Sequence, residues 1–466
     1  MSTKQLLSSL PSVDELLKSP RGAAWQGTFP RRYLLQAIRE TIDDYRQAIL
    51  KGDLKEFTLE EMLADIQSHV EKLSAFSLQP VINATGIVMH TNLGRSVLPE
   101  DVLENVKRIA CGYSNLEYEI EEGKRGKRYS HVQRLLNDIT GAESSLIVNN
   151  NAAAVFVSLS ALSRGKEVIV SRGELVEIGG SFRVPDVMSA SGATLVEVGT
   201  TNKTHLRDYE NAITGNTGML LKIHRSNFRI IGFTKEVEID ELVTLGRKHG
   251  IPVMFDLGSG CLVDLKPYGI TIEPTVQEVI KAGADIVSFS GDKLLGGPQG
   301  GVIVGRRGLI DIIAKYPLMR AVRIDKLTLS AFEAVLMKYL DEDTAKREIP
   351  TLQMLLQDPG AIQARAKRIA ARLKKALGGA EDLATAAVIS DSSQSGGGAL
   401  PEIEFETFAV AVRPERISVN KLEERLRLGK PPIIARIKED ALLLDARTIR
   451  EREIPDLIKG LRAALI

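Results

Sequence analysis

The sequence predicts an α/β protein built on a mostly parallel central sheet, with a helical unit before it and a small α+β unit after it. Three observations predict this. From about residue 80 to 325, short Val/Ile-rich runs alternate with helical stretches, the pattern that crossover connections impose on buried parallel strands. Before that region the apolar residues repeat only with helical spacing. After it, a long helical stretch leads to runs that read strand, helix, strand, strand, helix. The expected domains are 1–78, 79–330 and 331–466.

In the first region, "SVDE" and "TLEE" are capping boxes, Ser12 to Glu15 and Thr58 to Glu61, each opening an apolar-periodic run. Leu34, Leu35, Ile38, Ile42, Tyr45 and Ile49 lie on one helix face, and Met62, Ile66, Val70 and Leu73 on another. Residues 1–39 hold six basic side chains (Lys4, Lys18, Arg21, Arg31, Arg32, Arg39) against two acidic ones (Asp14, Glu15). Such a bias is either a solvated helix face or a local surface for phosphates.

The second region carries the strand runs "SSLIVN", "KEVIVS", "GATLVEVG", "TGMLLKIH", "IPVMFDLG", "ADIVSFS" and "GGVIVG". Ligands in such sheets bind beyond the carboxyl ends of the strands, so the polar residues just after each run are the candidates. In the third region "FAVAVR", "SVNKLEERLR", "IIARIKE", "ALLLDA" and "PDLIKGLRAAL" supply the small unit. The stretch "SDSSQSGGGALP" before them is either a plain linker or a loop over the site.

Composition narrows the function class. Across 466 residues, 61 Lys and Arg against 60 Asp and Glu leave a net charge of +1, so no global attraction to nucleic acid or membrane is expected. Cys111 and Cys261 have neither metal-ligand spacing nor a disulfide framework. The opening "MSTKQLLSSLPSVDELL" has no signal-peptide pattern, and no apolar run approaches the ~20 residues of a membrane span. A cytoplasmic location is expected.

Two strand ends then raise a specific chemistry. "VMFD" ends on Asp256, and "VSFSGDK" places Lys293 just past a later strand. Pyridoxal phosphate needs an amine for its aldehyde carbon and a carboxylate that keeps its ring nitrogen protonated. A desolvated lysine supplies that amine in its neutral form. The cofactor's phosphate wants backbone N–H groups at a helix start. "IVNNNAAAVF" offers Asn150, Asn151 and Ala152 there, and Ser290 adds a hydroxyl.

The motifs "INATGIVMHTNLGRS", "GKRGKRYSHV", "NNNAAAVF", "SRGELVEIGGSFRVPDVM", "VGTTNKTHLRDYE", "FDLGSG", "SFSGDKLLGGPQGG" and "QSGGGALP" together resemble the bacterial selenocysteine synthases, the L-seryl-tRNA(Sec) selenium transferases. The resemblance runs nearly end to end, with minor variation at Ser395 and Ala399. It implies an aminotransferase-like pyridoxal-phosphate fold and ring-shaped homodecamers built from dimers. It also implies conversion of seryl-tRNA(Sec) to selenocysteinyl-tRNA(Sec) with selenophosphate, through a dehydroalanyl-tRNA intermediate. On this reading Lys293 or Asp292 moves the Cα proton, and Asp256 holds the ring nitrogen. The substrate's carboxyl is esterified to tRNA, so no arginine clamp for a free carboxylate is needed. Arg320 and Arg323 instead supply a cationic pocket for selenophosphate, because arginine forks suit oxyanions, and Arg95 is either a third member of that pocket or a salt-bridged residue. Residues 1–78 would recognise the tRNA.

Several residues keep two readings at this point. His90 and His131 are site residues or hydrogen-bonded structural histidines. Glu174 lies over the cofactor or caps a helix, and Cys261 is near the site or a small buried thiol. Two other functions also stay open: a pyridoxal-phosphate lyase or desulfurase acting on free amino acids, and a non-catalytic tRNA-binding protein.

Overall fold

The computed structural model describes residues 2–178, 182–378, 382–401 and 403–466. The chain divides into two units, Met1–Pro80 and Val81–Ile466.

The first unit is helical, with helices Thr3–Ser8, Val13–Lys18, Pro20–Thr28, Arg31–Lys51 and Leu59–Ser74. The capping boxes at Ser12 and Thr58 form as the sequence indicates, and Ser2 and Gln5 make a third. Leu34, Ile38, Ile42, Met62, Ile66 and Val70 are buried together with Leu16 and Trp25, the single tryptophan. This unit therefore has a core of its own. The six basic residues before position 40 are all exposed; Lys18 pairs with Asp14, and Arg21 with Glu60.

The second unit contains a seven-stranded sheet: β1 Ser144–Val148, β2 Glu167–Ser171, β3 Thr194–Val198, β4 Thr217–Ile223, β5 Val253–Gly258, β6 Ile286–Ser290 and β7 Gly301–Gly305. Their order is β1-β7-β6-β5-β4-β2-β3. All neighbours are parallel except those of β7, which runs antiparallel to β6 and β1. Each of the seven apolar runs becomes one of these strands. Strands β1, β5, β6 and β7 are buried along their whole length, which is why they read as continuous apolar runs.

A five-stranded sheet follows, in the order Arg436–Lys438, Ala441–Asp445, Glu404–Pro414, Ala384–Gly396, Ile87–Met89. Two boundaries differ from the sequence reading. Ile87–Met89 pairs in parallel with Gln394 and Gly396, and Ile82–Asn83 pairs with Ile433–Ile434, so residues near 82–89 belong to the smaller sheet's layer. Strands of two or three residues are too short to show a period. The break drawn at 330/331 also falls inside a helix, Lys326–Lys338. Phe332 and Val335 of that helix share one core with Phe289 and Leu295, so large sheet and helix are continuous.

"SDSSQSGGGALP" is not a linker. Its first half lies in the 13-residue strand Ala384–Gly396, and Gly396, Gly397 and Gly398 then turn with φ of 72°, 65° and 66°. The strand's inward hydroxyls are satisfied rather than apolar. Ser393 and Thr407 donate to the buried Asp445 at 2.9 and 2.7 Å, and Arg436 adds a charged bond at 3.0 Å. Among the described residues, no helix is long and apolar enough to cross a membrane.

Candidate active site

Adjacent parallel strands set the first pair of residues. β5 and β6 run in register with Asp256 opposite Ser288, and Ser288 donates its hydroxyl to Asp256 Oδ1 at 2.9 Å. Asn151, at the start of the helix Asn151–Leu162 that follows β1, donates its amide to the same oxygen at 2.9 Å. The helix start can sit this close because β7 begins with Gly301. A Cβ there would lie 2.1 Å from the Asn150 carbonyl oxygen. Burial raises the Asp256 carboxyl above its ordinary range, against the two side-chain hydrogen bonds, the Lys293 charge and the Gly258 backbone N–H.

Lys293 follows β6 and is 4 % exposed. Burial, then the Arg95 charge, lowers its pKa; Asp256, Asp292 and Glu273 oppose that shift. The net shift is downward, toward easier loss of the proton. Its loop is pinned from a distant segment: the Ser96 hydroxyl lies 2.8 Å from both the Asp292 and Lys293 carbonyl oxygens. Arg95, with φ of 59°, donates to Asp292 Oδ2 at 2.9 Å.

The structure thus brings Lys293, Asp256, Asn151, Asp292, Ser290 and Arg95 into one hydrogen-bonded and electrostatically coupled neighbourhood. It also shows how some are occupied. Ser290 gives its hydroxyl hydrogen to Asp292 Oδ1 at 2.6 Å, so both Asp292 oxygens are held. Asn150 caps the helix by accepting from Ala153 N at 2.8 Å. Ala152, in the first turn, presents no side chain beyond its methyl. Arg323 donates to Glu117 at 2.8 Å, and its backbone bridges to Val148 at the end of β1. Arg320 is exposed at the end of the short turn Pro317–Arg320.

The residues fit pyridoxal phosphate. A buried amine and a buried carboxylate stand on adjacent strand ends, and the Asn151 Oδ1 is buried without a partner. Lys293 would take the aldehyde carbon, Asp256 the ring nitrogen, and the helix start at Asn150–Ala152 the phosphate.

Other residues resolve differently. Glu174 is buried between Lys222 and the Ile223 backbone N–H, each at 3.0 Å, so it braces the end of β4 and caps no helix. His131 is held by the Leu116 carbonyl at 3.2 Å, whereas His90 Nδ1 is buried without a partner. The Cys261 thiol is buried, bonded to the Val263 carbonyl at 3.2 Å and pushed up in pKa by that burial. A buried, protonated thiol is a poor sulfur carrier, which weighs against Cys261 as a desulfurase nucleophile.

Sequence reasoning missed Ser288, Ser96, Glu117 and the buried Glu273, which binds His224 at 3.0 Å and also the Ser259 hydroxyl. Only Ser288 had a signal, as a second hydroxyl two positions before Ser290 within a buried strand. A cavity of about 460 Å³ opens beside β4 and β5, lined by His224, Arg225, Arg229, Glu236 and Glu273; neither Asp256 nor Lys293 lines it.

The chain is similar to known proteins over most of its length. Residues 81–450 match the family model described as L-seryl-tRNA selenium transferase, and residues 7–46 match that of the selenocysteine synthase N terminal. An L-seryl-tRNA(Sec) selenium transferase of Clostridium botulinum (strain Loch Maree) is 50% identical over 465 residues, covering 100% of both chains. One of Geobacter metallireducens is 51% identical over 458 residues, covering 98% of each. Among solved structures, D-glucosaminate-6-phosphate ammonia-lyase aligns with a TM-score of 0.56 at 22% identity, over 83% of this chain and 96% of that one, a likeness of fold. On the match over 81–450 and the full-length identity, the chain belongs to the L-seryl-tRNA selenium transferase family.

Proposed function

We propose that this protein converts L-seryl-tRNA(Sec) to L-selenocysteinyl-tRNA(Sec), with pyridoxal phosphate as cofactor and selenophosphate as the selenium donor. The observation that carries the reading is the pairing of a buried, deprotonation-prone Lys293 with a buried Asp256 in a chain of this family. When bound, the cofactor supplies an electron sink for the charge left at the seryl Cα.

The residues divide the remaining work. Lys293, whose neutral form desolvation favours, takes the proton from the seryl Cα. Asp256, fixed by Ser288 and Asn151, holds a proton at the cofactor's ring nitrogen. Asp292, locked by Ser290 and Arg95, keeps the lysine loop in place and is the second candidate for moving the Cα proton. Arg95, Arg320 and Arg323 bind the selenophosphate oxyanion while the β-hydroxyl leaves and selenium adds at Cβ. One edge of Arg95 is already given to Asp292, so it binds the donor through its remaining N–H groups.

The helical unit Met1–Pro80 recognises tRNA(Sec) on this reading, and its exposed basic residues are compatible with phosphate contacts. The protein would work in the cytoplasm as a ring-shaped homodecamer built from dimers. The test is to incubate purified protein with seryl-tRNA(Sec) and selenophosphate and identify the aminoacyl group by mass spectrometry. Selenocysteine is the expected product. Unchanged serine, together with a cofactor spectrum that responds to free serine or cysteine, would favour a free-amino-acid lyase instead.

A further inference from the structure

Glu117 lies in the turn that enters the hairpin Tyr118–Glu119/Lys124–Arg125, 206 positions from Arg323. Its carboxylate accepts from three guanidinium groups: Arg128 Nε at 2.7 Å, Arg323 Nη1 at 2.8 Å and Arg125 Nη2 at 3.1 Å. Arg128 also donates to the Ile324 carbonyl at 2.8 Å, so it ties Glu117 to the backbone beside Arg323. That backbone is bonded in turn to the end of β1, through the Arg323–Val148 bridge and the Asn149 N–H to the Val322 carbonyl at 3.0 Å. The next residues, Asn150–Ala152, open the helix assigned to the cofactor phosphate.

One carboxylate against three guanidinium groups leaves an excess of two positive charges. Only one N–H of Arg323 is bonded to Glu117, and its side chain remains 36% exposed. Without the carboxylate the three cations repel one another, and Arg323 loses the side-chain hydrogen bond it makes among the described residues. A guanidinium recognises an oxyanion well only when its fork is already aimed.

We propose that Glu117 is a positioning residue for the oxyanion of the selenium donor: with Arg128 as strut, it holds Arg323 beside the start of the cofactor-binding helix. This rests on the reading of Arg323 as a donor-binding residue.

The experiment uses full-length holoenzyme with selenophosphate as the probe, comparing wild type with Glu117→Gln, Glu117→Asp, Arg323→Ala and the Glu117→Gln/Arg323→Ala double variant. Two quantities are read: KM for selenophosphate, and the rate of serine hydroxyl loss without donor. Glu117→Gln should raise KM by about tenfold, a typical effect of losing one charge-assisted contact, with hydroxyl loss unchanged. Glu117→Asp keeps the charge and should recover part of the affinity. The double variant should be no worse than Arg323→Ala, because Glu117 acts through Arg323. If Arg323→Ala leaves KM unchanged, the donor-binding reading of Arg323 fails. If Arg323→Ala raises KM but Glu117→Gln does not, or the two effects add, the positioning role is overturned. A rise in KM for seryl-tRNA in place of selenophosphate overturns it too, assigning the cluster to tRNA phosphates. Equal loss of both half-reactions in Glu117→Gln and Glu117→Asp would make Glu117 a residue of the fold.

Discussion

Ser288 gives its hydroxyl hydrogen to Asp256 at 2.9 Å from the neighbouring strand, in direct register with it. A hydrogen bond to the ionised carboxylate lowers its pKa, so removing the bond must raise it. Burial already pushes this carboxyl up, which makes the remaining bonds matter more. Ser288→Ala should therefore move the acid limb of selenocysteinyl-tRNA formation to higher pH. An unmoved acid limb would show that Asp256 does not set it.

Replacing Asp256 itself should separate binding from chemistry. Asp256→Ala leaves Lys293 and the helix start in place, so cofactor content, read by absorbance, should stay within about twofold while turnover falls about a hundredfold or more, the scale of losing a charge contact of ~3 kcal/mol. Parallel loss of cofactor and turnover would make Asp256 a retention group only.

Lys293 gives a test by pH. Burial and, next, the Arg95 charge lower its pKa, and the neutral amine is the form that captures an aldehyde. Removing Arg95 deletes one cause of the lowering and frees Asp292, whose charge acts in the raising direction. Both changes have the same sign. In Arg95→Gln, the pH midpoint for yellow colour formation by apo-protein with added pyridoxal phosphate should shift upward. Borohydride should then fix the cofactor to the peptide holding Lys293, and Lys293→Ala should lose that label.

Arg320 is exposed, so its substitution should leave the fold intact. Arg320→Ala should spare loss of the seryl hydroxyl and slow selenium transfer by about tenfold, as expected for one oxyanion contact. Quenched-flow analysis of the aminoacyl group would separate the two steps.

The unit Met1–Pro80 has its own core, so its removal should leave the cofactor absorbance of the rest largely unchanged. It should abolish discrimination of tRNA(Sec) from other seryl-tRNAs, measured by filter retention. Full-length binding should weaken with added salt as phosphate contacts are screened. Retained preference in the truncated chain would place recognition elsewhere.

The strands of the large sheet, apart from the partly exposed β3, were legible because a strand buried on both faces must be apolar along its length. Lys293 and Asp256 were legible for a related reason: a charged group at the end of such a run stands out. What the sequence hid falls into two kinds. The strand Ala384–Gly396 turns Ser393 inward onto Asp445 and buries Ser395, so its buried face reads as polar and looks like a linker. The pairs Arg95–Asp292 and Arg323–Glu117 are separated by 197 and 206 positions, and no local pattern records which distant segments the chain folds together.

The left-handed turn at Gly396 reaches further than its own loop. A Cβ on Gly396 would lie 2.4 Å from Ile87 Cγ2, so any side chain there pushes on the strand Ile87–Met89. Six residues after Met89 come Arg95 and then Ser96, the two that grip the lysine loop. The segment from 87 to 96 is thus a short crank between the smaller sheet and Lys293. A substitution in the glycine turn would therefore press, through that segment, on the backbone that carries Lys293 without touching the lysine itself.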